Sequence, residues 1–123
     1  MKKTISTIII SLLFIATAFS QQKNIVDTYL TANKKVKVEF YQTNDLYYSE
    51  VVWKAEDAGK DVNVGDILIK DLKYNSKLQQ YDCGILTAKG KTLDCIIKFH
   101  NTNQIKVFMK YGFIKKEVIW TRV

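Results

Sequence analysis

His100 is the sole histidine of this chain, and it borders a turn rich in asparagine. A serine or cysteine nucleophile needs a histidine base set beside it by the fold; His100 reads instead as a solvated turn residue. Asp, Glu and Cys do not cluster at metal-ligand spacing. Glu56-Asp57 and Asp61 fall in a polar run and read as solvated loop carboxylates. With no nucleotide loop either, the sequence offers no catalytic set, no metal site and no cofactor, and an enzyme is not expected. The chemistry that remains lies in Cys83 and Cys95, and in Lys116.

What the cysteines do depends on compartment. The chain starts Met-Lys-Lys and runs from Ile5 to Phe19 with only Thr and Ser as polar interruptions, ending in small residues at Ala18 and Ser20. This is the layout of a secretory signal peptide over residues 1–20, cut before Gln21. The apolar core is short beside the about 20 residues of a membrane span, although an uncleaved N-terminal anchor is the rival reading. The expected location is therefore periplasmic or extracellular, with no integral membrane segment once processed. Residues 21–123 form one domain, able to bury about two thirds of its unfolded surface. An even cysteine count in an oxidising compartment points to a Cys83–Cys95 disulfide; two buried thiols are the alternative.

Lys and Arg number 19 against 12 Asp and Glu, a formal net charge of +7. The lysines are scattered over every segment rather than clustered beside a nucleic-acid module, so no nucleic-acid partner is expected. Such an excess suits solubility and weak attraction to anionic surfaces.

Period-two alternation organises the rest. Val36 to Tyr41 sets Val36, Val38 and Phe40 on one face, and Gln42 to Asp45 supplies turn chemistry. Leu46 to Lys54 returns with Tyr47, Val51 and Trp53 on one side, and 55–65 is a polar, glycine-bearing loop. Ile67 to Leu72, then Leu78 to Thr87 with Tyr81, Cys83 and Ile85 together, are further strands. Lys91 to Phe99, Ile105 to Tyr111 and Phe113 to Val123 follow, and Ile25 to Leu30 precedes them all. About eight strands, short turns, no proline and no amphipathic helix predict an all-β, antiparallel sandwich or up-and-down barrel.

Register tests the hairpins, because a one-residue slip swaps faces. A turn at 101–103 sets Phe99 opposite Ile105, Ile97 opposite Val107 and Asp94 opposite Lys110. A three-residue loop at 88–90 sets Cys83 opposite Cys95 on the inward face, which a cross-strand disulfide requires. A turn at Tyr111-Gly112 turns Lys116 inward beside Val107. Either a bulge or a lysine reaching to the rim relieves this, or Lys116 is the counter-charge for an anionic ligand.

The chain resembles a small exported bacterial family known as domain of unknown function 2147. Gly90-Lys91-Thr92-Leu93 is similar to its Gly-Lys-Thr-Tyr hairpin, and Trp120-Thr121-Arg122-Val123 matches its Trp-x-Arg-Val ending. Ser49 to Trp53 stands at its Gly-Lys-Ile-Val-Trp strand, and Gly59 to Asn63 at a shortened Asp-x-x-Asn loop. Asp27-Thr28-Tyr29 replaces the opening Gly-x-Trp, and Phe108-Met109 replaces Arg-Gly. The resemblance implies an eight-stranded lipocalin-like barrel. It also implies a structural clasp in which Tyr29 sits against Arg122, beside Trp120. An eight-stranded barrel can enclose one small ligand, so the expected function is binding of a small apolar or amphipathic molecule, an anionic group of which would pair with Lys116. Trp53, Tyr81, Tyr111 and Lys116 are the candidate contacts. The alternative is a barrel filled by its own aromatics that serves as a protein-interaction or envelope module.

Overall fold

Alternating apolar side chains can be buried on one face only if the sheet bearing them curls around that face. The computed structural model describes residues 24–123; the expected signal segment, 1–20, lies outside the described residues. Eight strands run in chain order: β1 Thr28–Leu30, β2 Val36–Thr43, β3 Leu46–Lys54, β4 Ile67–Asn75, β5 Gln80–Ala88, β6 Lys91–Asn101, β7 Gln104–Tyr111 and β8 Ile114–Arg122. Each pairs antiparallel with the next, and β8 pairs with β1, so the sheet closes into an up-and-down barrel without an open edge.

Where alternation is uninterrupted, sequence and register agree. Val36, Val38 and Phe40 of β2 are buried, as are Ile97 of β6 and Ile105 and Val107 of β7. The β6–β7 register sets Phe99 opposite Ile105, Ile97 opposite Val107 and Asp94 opposite Lys110, as the sequence predicts. At the tip the turn narrows to Thr102–Asn103, with Asn101 opposite Gln104.

Bulges on β3, β4 and β5 break the alternation, with a further shift near the end of β6, and those on β3 and β5 overturn an expectation. On β3, Val38 faces Val51 while Lys37 faces Trp53, which leaves Val52 as an extra residue. Trp53 therefore turns outward, 42% exposed, with the Lys37 ammonium 5.1 Å from its ring centroid. Lys54 takes the inward side opposite Val36. On β4 an extra residue accompanies Asp71, whose φ is +62°. Nearby, the buried Ser49 hydroxyl accepts the Ile69 N–H at 3.1 Å. On β5, Tyr81 faces Ile97 but Gly84 faces Cys95, so Asp82 and Cys83 share one bulge, with Cys83 at φ +63°.

Two turns also differ from expectation. Ala88 pairs with Lys91, leaving a two-residue turn of Lys89 and Gly90, both with positive φ, the backbone that twisted hairpins favour. Together with the β5 bulge, this puts Gly84 and Leu86 on the inner face and Cys83 outside. Tyr111 pairs with Ile114, so the last turn is Gly112–Phe113 and Lys116 faces Met109 rather than Val107. No bulge intervenes on β8. Lys116 keeps the inward side of the ladder but lies exposed at the rim.

Gly84 is required by packing. A Cβ there would lie 2.6 Å from Leu72 Cδ2 and 3.1 Å from the Cys95 carbonyl oxygen, and Leu72 is fully buried. Gly84→Ala is expected to destabilise the protein by about 1–3 kcal/mol, the usual range for overpacking, read as a lower urea midpoint.

Candidate functional site

The strand directions give the barrel two unlike ends. The turns at 44–45, 76–79 and 102–103 gather at one end with residues 24–27 and the C-terminus. The 31–35 turn, the long 55–66 segment and the turns at 89–90 and 112–113 gather at the other.

The first end is sealed. Ile25 is completely buried, and its N–H donates to the Tyr81 hydroxyl at 3.3 Å. Tyr81 stands between Tyr47 and Tyr74, with ring centroids 5.0 and 5.1 Å away. Burial pushes the Tyr81 phenol up to about 12. Tyr29 packs edge-on against Phe40 at 5.5 Å, and Phe40 lies 6.3 Å from Trp120. Over this layer lies the Arg122 guanidinium, its carbon 5.6 Å from the Tyr29 centroid. Arg122 Nη2 donates to the Tyr29 hydroxyl and to the Asn24 carbonyl, each at 3.1 Å. Its Nε lies 3.1 Å from Asp27 Oδ2, an ion pair without the alignment of a hydrogen bond. Burial raises the Tyr29 phenol above its usual value, against the pull of the Arg122 charge.

The opposite end is looser. The 55–66 segment folds over its rim, tied by Lys54 Nζ to the Val62 carbonyl at 2.8 Å and by Gly65 N–H to the Val51 carbonyl at 2.8 Å. On the same rim Lys35 pairs with Asp57 at 3.1 Å, and this hydrogen-bonded cation holds the Asp57 carboxyl below its usual range. Between this segment and the ends of β4 and β5 is a cleft of about 380 Å3. Val51, Ala58, Val62, Ile67 and Ala88 give it apolar walls, while Asp61, Asp66 and Lys89 edge it. A larger groove, about 560 Å3, lies on the outer wall of β6–β8. Ile96, Phe108 and Met109 are its apolar part, with Asp94, Lys110, Lys115, Lys116 and Glu117 beside them.

The residues singled out in the sequence do not meet at one site. Tyr29, Trp120 and Arg122 come together at the sealed end. Tyr81 is also there, 3% exposed and part of the packing. Trp53 is on the outer wall, and Tyr111 is half exposed at the rim, with the Lys91 ammonium 5.5 Å from its ring. Lys116 borders the outer groove and not the cleft. Cys83 and Cys95 are free thiols on opposite faces, Cys83 exposed and Cys95 buried; the β5 bulge is what separates them. His100 is exposed, and among the described residues no three His, Cys, Asp or Glu side chains gather as a metal site. The cleft itself was not read from the sequence; the glycines and small apolar residues of 55–66 were its only trace.

Protein HP1028 from Helicobacter pylori, described as belonging to the lipocalin family, has a similar structure. The TM-score is 0.64 at 19% identity, covering 81% of this chain and 83% of that one. The fold is lipocalin-like. At that identity the likeness concerns architecture alone. No family model and no curated protein sequence matches the chain.

Two outcomes follow for the lipocalin-like barrel. Burial pushes the Cys95 thiol up to about 12, so iodoacetamide at pH 8 is expected to label one thiol per folded chain, and Cys83→Ser to abolish that labelling. Arg122→Leu is expected to cost about 2–3 kcal/mol, combining charged hydrogen bonds with the ring contact. Tyr29→Phe is expected to cost about 1 kcal/mol, and urea unfolding of the double variant should show the two losses to be non-additive.

Proposed function

We propose that this chain is an exported binding protein, not an enzyme, that holds a small amphipathic molecule at the open end of its barrel. The observation that carries the reading is the cleft beneath the 55–66 segment. Its volume of about 380 Å3 exceeds the roughly 300 Å3 at which small-ligand sites begin. Its apolar walls suit a hydrocarbon or ring body, and the edge formed by Asp61, Asp66 and Lys89 suits one small polar group. Below it the interior is occupied by Phe40, Ile97, Val107 and Trp120, each at most 5% exposed. The ligand therefore rests near the mouth, and its size is limited accordingly.

Export rests on the basic start and apolar run of residues 1–20. Affiliation with the domain of unknown function 2147 family rests on Trp120-Thr121-Arg122-Val123 and the Gly90-Lys91-Thr92 turn. A second reading has its own support in the outer groove of about 560 Å3 on β6–β8: a filled barrel whose wall docks a partner protein across Ile96 and Phe108.

Native mass spectrometry of protein recovered from its own compartment is expected to show a retained small molecule. The naphthalene fluorophore ANS is expected to bind the delipidated protein. Ala88→Trp, which grows into the cleft, should weaken that binding about tenfold or more while the unfolding midpoint holds; Ala58→Trp does the same from the loop side. No retained molecule, together with ANS binding indifferent to both substitutions, refutes the reading. Loss of a captured partner protein on Phe108→Ala would favour the second.

A further inference from the structure

The tip of the β7–β8 hairpin carries side chains that the fold does not use. Phe113 is 104% exposed, Ile114 69% and Tyr111 48%. They sit at the apex of a turn whose Gly112 has φ +60°. Neither Phe113 nor Ile114 lines the cleft or the outer groove. Lysines surround this apex: Lys110, Lys115 and Lys116 on the same hairpin, and Lys89 and Lys91 on the neighbouring β5–β6 turn. Lys91 reaches across to the Tyr111 ring at 5.5 Å, joining the two turns. The acids on these strand ends are Asp94, opposite Lys110, and Glu117, opposite Phe108. The remaining carboxylates of this end, Glu56, Asp57, Asp61 and Asp66, are on the 55–66 segment, outside the hairpin pair.

We propose that the β7–β8 tip docks the barrel onto an anionic lipid surface, with Phe113 and Ile114 entering the headgroup boundary and the lysine collar meeting the lipid charges. An apolar group with basic residues beside it is the composition of interfacial anchors, which enter about 5–10 Å into the headgroup region. Lysine stems cover apolar surface while their ammonium groups stay at the polar level, and each adds attraction to anionic lipid. A protein partner fits less well. The apex is convex and offers three apolar side chains, whereas a stable protein interface buries about 1,000 Å2 or more in complementary contact. The inference stands on the two hairpin tips and holds whether or not the cleft binds a ligand.

The test is sedimentation of the protein, as its host delivers it, with vesicles of phosphatidylcholine alone or with phosphatidylglycerol added. Partitioning is expected to rise about tenfold or more with roughly 30 mol% anionic lipid, and to fall back in 0.5 M salt. Phe113→Ser with Ile114→Ser should lower it about tenfold without changing the unfolding midpoint, since neither side chain is buried. Lys110, Lys115 and Lys116 all changed to Gln should weaken the dependence on anionic lipid by about tenfold or more, with Lys89 and Lys91 supplying what remains. Phe113→Trp should gain emission that brominated lipid quenches beyond the wild-type level. Partitioning indifferent to the tip serines, or a tip tryptophan that brominated lipid leaves unquenched, overturns the proposal. So does retention by a membrane protein with none by protein-free vesicles.

Discussion

Three residues of β1 hold the sheet shut, and only Tyr29 and Leu30 of them pair with β8, opposite Arg122 and Thr121. So short a ladder needs help, which comes from the chain flanking it. Val123 N–H donates to the Thr28 carbonyl at 3.0 Å, Arg122 N–H to the Asn103 carbonyl at 2.7 Å, and Phe40 N–H to the Asp27 carbonyl at 2.9 Å. The guanidinium then spans the seam from above, touching Tyr29, Asn24 and Asp27. A partly buried cation is costly unless its donors are matched. Pairing the Arg122 charge with Asp27, and its Nη2 with Tyr29 and Asn24, requires residues 24–29 to lie where they do. The same constraint seats Ile25 against Tyr81 and seals that end.

From that seal the interior acquires a direction. Aromatic rings crowd the closed end, aliphatic chains fill the middle, and Leu93, Met109 and Ala88 are only half buried near the opening. Water is excluded where the closure is, and space survives where the strands are tied by a loop rather than by a ladder. The lipocalin-like barrel is therefore a filled vessel with a shallow mouth, not a hollow one. The charge around that mouth is similarly uneven, with carboxylates on the 55–66 segment and lysines on the neighbouring hairpin tips.

Much of this was legible because alternation is a local signal. β2, β6 and β7 could be read with their faces, and the β6–β7 register with its partners. The bulges could not. In Val51-Val52-Trp53 three apolar residues in a row satisfy either face, so nothing in the sequence says which one is extra. At Asp82-Cys83-Gly84 the deciding fact is the proximity of Leu72, a contact between strands that periodicity does not encode. The Lys89-Gly90 turn is one residue shorter than the sequence predicts, because lysine carries no sign that it adopts positive φ. Errors of one residue suffice to turn Trp53 and Cys83 from lining to wall. The cleft was hidden for a different reason: it is made by a loop folding back, held by Lys54 and Gly65 through main-chain acceptors that any sequence would supply.

The bulges are not spread evenly around the ring. Val52, Asp71 and Cys83 fall on the adjacent strands β3, β4 and β5, and one more shift lies between Phe99 and Asn101 at the end of β6, while the β7–β8 ladder runs unbroken from Gln104–Thr121 to Tyr111–Ile114. A bulge absorbs a surplus residue by bending its strand, whereas a regular ladder passes any slip to every side chain beyond it. A single-residue insertion or deletion is therefore absorbed more readily along β3 to β5 than on the regular β7–β8 ladder. Within the β7–β8 ladder the same change would turn Val107 or Trp120 out of the interior, which leaves the hairpin tips as the places that tolerate it.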